Sequence, residues 1–184
     1  MKNLKGFLTN TIAILAGILI LVFLSQPYFN YIVDSILGSG SVEGISGYSI
    51  IGNYFESEDA KAVVLALSCL IVAILAGVLI LFGIFNLLTS TRVVKVRNPR
   101  IMNKVNFFVA ILLVIVGVIG LGCAIGISKD TSFDTAIGGV QLINGTYNIS
   151  WAYIVNMTLS FVALVSTFVA CVGRGKKSKK NKKK

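Results

Sequence analysis

Four long apolar runs without a charged residue constrain the fold of this chain more than any other feature. They cover residues 7–25, 62–88, 105–127 and 151–172. The hydrocarbon core of a bilayer is about 30 Å thick, and about 20 helical residues cross it. Hydrophobic residues make up 55% of the 184 positions, more than is usual in a soluble domain. The sequence therefore predicts an all-α membrane protein with four transmembrane helices over these ranges.

The apolar runs also sort the charged residues by sign. All seven acidic residues lie in the segments 26–61 and 128–150, whereas fifteen of the seventeen basic residues lie before the first run, in 89–104 or after the last run. Cytoplasmic loops are enriched in Lys and Arg. The pattern predicts a multi-pass protein of the cell membrane with cytoplasmic N- and C-termini and two extracellular loops. Amphipathic rings are favoured at the interface, so we expect five aromatic residues near the outer one: Tyr28, Tyr31, Tyr147, Trp151 and Tyr153.

Both predicted outer loops contain short segments that resemble strands. The segments 45–51 and 137–143 share the pattern Ile-x-Gly-x-x-aliphatic-Ile and contain several glycines. An isolated strand pair is marginal in water, so we expect strands from the two loops to pair into one small extracellular β-element. The preceding stretch has helical spacing at Phe29, Ile32, Val33, Ile36 and Leu37, which predicts an extension of the first helix or an interfacial helix.

The shared loop pattern favours a duplicated organisation. We predict one four-helix transmembrane domain over 1–172, with a possible tandem repeat of 1–90 and 91–172. The first and second helices also share a short match, AILAGILIL at 13–21 and AILAGVLIL at 73–81. Because these two helices run in opposite directions, this match adds little to the repeat. The lysine-rich segment 173–184 is predicted to be a disordered cytoplasmic tail.

Small residues recur at alternating spacings of four and three in the predicted helices. Close approach at small residues drives helix association in lipid, and a 3.5-residue period implies left-handed crossings. The spacing predicts a left-handed four-helix bundle. Two positions, Gly122 and Gly126, lie on another face and are the candidates for contact with a second copy or a partner. The predicted packing residues are Ala66, Cys69, Ala73, Ala76, Gly117, Gly120, Ala124, Gly122 and Gly126.

Each predicted helix carries an asparagine near one end. These residues are Asn10, Asn86, Asn106 and Asn156. Asparagine forms hydrogen bonds between membrane helices, and we interpret all four as interhelical or interfacial bonding residues rather than ligand contacts. Asn10, Asn86 and Asn106 lie toward the cytoplasmic ends and could meet there.

The basic tail predicts contact with anionic lipid head groups. A juxtamembrane lysine gains about 1 kcal/mol near an anionic leaflet. The alternatives are that the tail only fixes the orientation of the last helix, or that it contacts nucleic acid, which we do not expect. The tail residues concerned are Arg174, Lys176, Lys177, Lys179, Lys180, Lys182, Lys183 and Lys184.

Groups that carry catalysis are sparse in this sequence. The predicted helices contain no ionisable Asp, Glu, Lys, Arg or His, and the chain has no histidine. Intramembrane ionisable residues usually mark ion paths or substrate sites. We therefore predict no catalytic residue, no cofactor and no metal site. The acidic group Glu56, Glu58 and Asp59 could hold a divalent cation, but we interpret it as a solvated helix start.

The arrangement of a longer first and a shorter second outer loop between cytoplasmic termini resembles the claudin-type tetraspan proteins. The resemblance covers the topology of the whole chain and no motif. The first loop, 26–61, has neither Trp nor Cys, so it lacks the tryptophans and cysteine pair of the claudin signature, and the tetraspanin cysteine signature is also missing. The Lys- and Asn-rich, His-free composition also resembles small membrane proteins of low-GC bacteria.

These patterns lead to three hypotheses about function. The first is a non-enzymatic structural or accessory subunit that acts through helix–helix and outer-loop contacts, as a homo-oligomer or in a larger membrane complex. The second is a small pore or permease component, holin-like in its basic tail. The third is a membrane enzyme or carrier for a lipid or quinone, which would need convergent polar groups in a lateral cavity.

Overall fold

The computed structural model describes residues 4–35, 38–53, 55, 57–91, 93–94, 99–130, 133–137 and 140–173. Its four long helices are α1 (Leu4–Phe23), α3 (Ala60–Ser90), α4 (Pro99–Asp130) and α5 (Trp151–Gly173). Each contains a window long and apolar enough to cross a membrane, so the four predicted long apolar helices are confirmed, and each of them could span a membrane. Apolar side chains are exposed on all of them, Leu8, Ile74, Phe108 and Val165 among them, which suits contact with lipid.

The helix starts follow from local hydrogen bonding. The Asp59 carboxylate accepts a hydrogen bond from the backbone N–H of Lys61 at 2.9 Å, the arrangement of an N-cap that satisfies one of the free donors of α3. Asp59 is thus part of a helix start, as its position in the acidic group predicts. The α4 helix begins at Pro99, where proline fits because its missing N–H is not needed. The α4 helix therefore starts six residues before the predicted boundary at 105.

A four-stranded antiparallel sheet joins the two segments between the helix pairs. Its strands are β1 (Pro27–Ser35), β2 (Gly38–Ser46), β3 (Phe133–Ile137) and β4 (Val140–Ile149). The order is β2-β1-β4-β3. The central pair, β1 with β4, runs from Phe29↔Ile149 to Ser35↔Ile143. The prediction that strands from both loops pair into one sheet is confirmed.

Two local predictions in the first loop are wrong. The expected helix at Phe29, Ile32 and Val33 is strand β1 instead, because β-branched and aromatic residues suit a pleated central strand. Ile36 and Leu37 lie outside the described residues. The expected strand at 45–51 ends at Ser46, and 47–53 forms a short helix, α2 (Gly47–Asn53). The Ser46 hydroxyl oxygen accepts a hydrogen bond from the Ser49 N–H at 3.1 Å, which caps α2 and ends the strand.

Two compact units divide the chain. The terminal unit draws its described residues from Met1–Leu21, Val72–Ile115 and Met157–Lys184, and the sheet unit draws them from Val22–Ile71 and Val116–Asn156. The terminal unit has an apolar core to which all four long helices contribute. Its buried members are Ala16, Leu79, Val109, Ala110 and Ala163.

Candidate functional site

The sheet unit contains a buried polar group that we call the tyrosine cluster, made of Tyr28, Tyr153, Asn156, Ser68 and Gly120. The Tyr28 hydroxyl accepts a hydrogen bond from the side-chain amide of Asn156, and the Tyr153 hydroxyl donates one to the carbonyl oxygen of Gly117 at 3.3 Å. The two tyrosine rings meet edge to face, with centroids 4.7 Å apart. Both rings are at least 95% buried, so the cluster lies in protein and not at the lipid interface.

Tyr28 connects the sheet to the start of α5 through both its main chain and its side chain. Its carbonyl oxygen accepts a hydrogen bond from the Ser150 N–H at 2.8 Å, and Ser150 immediately precedes α5. Burial raises the pKa of the Tyr28 hydroxyl above its ordinary value, and the Cys69 thiol adds to this, whereas the hydrogen bond from Asn156 lowers it. Burial outweighs the hydrogen bond, so the group stays neutral and acts as a structural hydrogen-bonding partner.

At Gly120, α4 packs closely against this cluster. A Cβ added at Gly120 would lie 2.6 Å from the Tyr153 hydroxyl and 3.0 Å from the Ser68 Cβ. Both contacts are closer than ordinary van der Waals separation, so only glycine fits without a shift. Gly122, two residues later, is exposed and has no atom within 4 Å of its Cβ position.

Two of the aromatic residues expected near the outer interface, Tyr28 and Tyr153, are buried against protein and do not face lipid. Trp151 is exposed and meets the Phe23 ring edge to face at 5.7 Å, a position that suits an interfacial ring. The side chains of Tyr31 and Tyr147 lie outside the described part of the chain.

The small residues predicted to pack the helices fall into different environments. Six of the nine are buried, Ala73 and Gly126 are partly buried, and Gly122 is exposed. A Cβ at Gly126 would lie 3.2 Å from Cδ of Lys61, so the aliphatic part of this lysine lies over the glycine. The buried six are Ala66, Cys69, Ala76, Gly117, Gly120 and Ala124.

Gly17 is a packing residue that sequence reasoning missed. A Cβ there would lie 2.8 Å from Cγ1 of Ile80 and 3.2 Å from the carbonyl oxygen of Ala76. Gly83 is similarly close to α1, at 2.6 Å from Cγ1 of Ile14. The α1–α3 contact in the terminal unit therefore depends on two glycines. The spacing of Ala13 and Gly17, four residues apart, was the available signal.

The terminal unit contains a second buried polar group, which we call the asparagine layer: Asn10, Asn86, Asn103 and Asn106. All four side chains are at least 96% buried. Nδ2 of Asn103 donates a hydrogen bond to the carbonyl oxygen of Ala170 at 3.2 Å. The main-chain carbonyl oxygen of Asn103 accepts one from Sγ of Cys171 at 3.1 Å. Asn103 was not among the predicted asparagines because the third long helix, α4, was expected to start at 105. The fourth predicted asparagine, Asn156, belongs to the tyrosine cluster.

Two further predictions concern metal ions and lipid head groups. Among the residues that the structure describes, no three Cys, Asp or Glu side chains are grouped so as to hold a metal ion. The tail residues predicted to contact lipid, within 174–184, lie outside the described part of the chain.

Comparison with known protein families, curated proteins and solved structures gives no match for this sequence.

Proposed function

We propose that this chain is a non-enzymatic, multi-pass membrane protein that serves as a structural or accessory subunit and contacts its partner through the sheet unit. The observation that carries this proposal is the pairing of β1 with β4 over seven matched residue pairs. Because these strands come from different inter-helix segments, their pairing orders both segments at once. A pre-ordered surface loses less conformational entropy on binding than two separate loops would.

The sheet also offers a binding mode. Its outer strands are β2 and β3, and an edge strand presents main-chain donors and acceptors that a further strand can pair with. Next to β2, the side chain of Tyr48 on α2 is 46% exposed, and exposed aromatic residues are enriched in protein interfaces. We propose an extended polypeptide segment of another membrane-complex subunit, or of a second copy, as the partner at this surface.

The tyrosine cluster supports the same proposal. Its hydrogen bonds hold the first residues of β1 on the first turns of α5. Buried, hydrogen-bonded polar groups of this kind add rigidity and fix one arrangement of neighbouring elements. The sheet is thereby anchored on helix α5, as a stable docking surface requires.

The core of the terminal unit favours this proposal over the small-pore alternative. Leu79, Ala110, Ala163 and their neighbours fill the centre of that unit with apolar side chains. A conducting path within one chain needs a polar or hydrated interior, and these apolar side chains would interrupt it. We also propose that the chain shares the topology of the claudin-type tetraspan proteins, and this part of the proposal concerns topology alone.

We further propose the orientation that the charge pattern predicts. Both termini and the middle segment 89–104 face the cytoplasm, the two outer loops with their sheet face outside, and the helices form a left-handed bundle. The residues of the basic tail bind anionic head groups at the cytoplasmic surface, an attraction that weakens as salt screens it.

Site-specific photocrosslinking in the native membrane tests the proposed contact surface. A photoreactive phenylalanine analogue replaces Tyr48, and a matched variant carries it at Phe108, which is 60% exposed on α4. After irradiation and extraction in mild detergent, we expect a discrete protein adduct from position 48 and none from position 108. A strictly monomeric chain without an adduct at position 48, or an adduct from position 108 alone, would contradict the proposal.

A further inference from the structure

The asparagine layer has hydrogen-bonding groups that the described protein does not satisfy. Within the described part of the chain, Nδ2 of Asn10, both amide atoms of Asn86 and of Asn106, and Oδ1 of Asn103 have no hydrogen-bond partner. A buried polar group left unpaired costs about 1–3 kcal/mol, and lipid tails offer no replacement. Six unpaired amide atoms in one unit therefore require an additional partner.

Helical spacing places these side chains in one layer. Asn106 precedes Ala110 by one turn, and Asn86 follows Leu79 by two turns, while Ala110 and Leu79 belong to the same apolar core. At about 1.5 Å per residue, the two asparagines lie about 6 and 10 Å from that core. They lie on the same side of it, because the C-terminal end of α3 and the N-terminal end of α4 are separated only by residues 91–98.

The other helices contribute to the same layer. The carbonyl oxygen of Asn10 is 3.8 Å from the Cβ position of Gly83, one turn before Asn86. The side-chain amide of Asn103 donates a hydrogen bond to the main-chain carbonyl oxygen of Ala170 on α5. The buried Thr167 lies one turn before Ala170 on the same helix. Polar side chains of all four long helices thus lie at similar depth in the terminal unit.

The balance of donors and acceptors identifies the partner. The unpaired atoms are three amide nitrogens, which donate, and three amide oxygens, which accept. A cation would satisfy only the oxygens, and an anion only the nitrogens. Water donates two hydrogen bonds and accepts two, and buried water typically makes about three. We propose that the asparagine layer is a binding site for a small cluster of internal water molecules within the membrane-spanning helices.

The apolar core limits how water reaches this site. Leu79 and Ala110 lie on one side of the asparagine layer, and the ends of α3 and α4, at Ser90 and Pro99, lie on the other. Water therefore enters from the ends of these helices and stops at the core. The layer is a hydrated recess, and not a continuous path.

Water-edited solid-state NMR of the full chain in lipid bilayers tests this site. With asparagine, leucine and alanine labelled, magnetisation is transferred from water to the protein and its build-up is followed at each side chain. We expect rapid build-up at the side-chain amides of Asn86 and Asn106, and slow build-up at the methyl groups of Leu79 and Ala110. Slow build-up at both amides would overturn the proposal, as would direct couplings across amide–amide hydrogen bonds.

Three variants and an exchange of cations separate water from other partners. Asn106→Leu removes one donor and one acceptor, so Asn86 should lose its water signal, whereas Asn53→Leu on the exposed face of α2 should leave that signal unchanged. Asn106→Gln keeps the amide and should retain the signal. Exchanging sodium for potassium should not shift the Asn86 and Asn106 resonances, and a shift would instead indicate a cation site. The wild-type measurement decides the proposal even if Asn106→Leu does not fold.

Discussion

The hydroxyl of Tyr28 and the side-chain amide of Asn156 form a buried hydrogen bond between residues 128 positions apart. Tyr28 is the second residue of β1, and Asn156 lies in the second turn of α5. This bond joins the sheet to a long helix in the part of the molecule where we place partner binding.

Replacing Tyr28 with phenylalanine removes the hydroxyl and keeps the aromatic ring, and this change should destabilise the protein. The Tyr28→Phe variant removes the hydrogen bond that the Tyr28 hydroxyl accepts from the Asn156 amide, and we expect the free energy of unfolding to fall by about 1 kcal/mol. Steric trapping or denaturant titration in bicelles measures this change. A double variant with Asn156→Leu should lose less than the sum of the two single losses, because it removes both partners. Strict additivity would show that the two side chains are not coupled.

The same hydroxyl predicts a dependence on alkaline pH. Burial raises the pKa of Tyr28 above its ordinary value of 10.0. Below that value the hydroxyl is protonated in both states. Above it, the unfolded chain loses the proton while the folded chain keeps it, so the folded state binds more protons and the free energy of unfolding falls as pH rises.

Unfolding measured at about pH 9 and about pH 11 tests this dependence. The loss of stability should be smaller in Tyr28→Phe than in the wild type, since the other tyrosines contribute equally to both proteins. Equal losses would mean that Tyr28 is not the group that titrates.

Gly17 and Gly77 provide a matched pair within nearly identical local sequence. A Cβ at Gly17 would collide with Ile80, whereas a Cβ at Gly77 meets no atom within 4 Å. We expect Gly17→Ala to lower the free energy of unfolding by about 1–3 kcal/mol through overpacking. Gly77→Ala should leave it unchanged or raise it by up to about 1 kcal/mol, because alanine is the better helix former. Equal effects in bicelle unfolding experiments would contradict the α1–α3 contact described above.

A second pair tests the approach of α4 to the tyrosine cluster. Gly120→Ala should displace the Tyr153 hydroxyl or the Ser68 side chain and cost about 1–3 kcal/mol. Gly122→Ala, on the exposed face, should be close to neutral in the isolated protein. If Gly122 contacts a partner, Gly122→Ala should instead reduce the yield of a co-purified complex while unfolding stays unchanged. Destabilisation by Gly122→Ala alone would reverse the assignment of the two faces.

The membrane helices could be predicted because the physical constraint on them is simple. Charged residues are excluded from hydrocarbon, and an uncharged run of about 20 apolar residues matches the length that a helix needs to cross it. The region around Phe29, Ile32 and Val33 was less predictable, since a short apolar stretch fits both helical and strand periods. Its pairing with β4, more than 100 residues later, decides the outcome, and nothing local to the segment specifies that partner.

The candidate sites show the same limit. Tyr28 and Tyr153 lie beside apolar runs, where an aromatic ring can face either lipid or protein. The contact with Asn156 and Gly117 settles this, and it depends on how α4 and α5 approach β1. Likewise, Gly17 and Gly77 share their neighbours in sequence but differ in what lies across from them. Sequence indicates small or polar residues at such positions, and only the packing shows which of them are buried.

Disulfide trapping between β1 and β4 tests the central claim, that both inter-helix segments form one sheet on the same side of the membrane. Asn30 and Asn148 are Cα partners, and Thr146 is the partner of Ile32. In a chain with Cys69, Cys123 and Cys171 replaced by alanine, Asn30→Cys with Asn148→Cys should form a disulfide under mild oxidation in intact membranes. The control, Asn30→Cys with Thr146→Cys, places the two Cα atoms about 8 Å apart and should not. Failure of the matched pair to crosslink, or equal crosslinking of the control, would contradict the shared sheet.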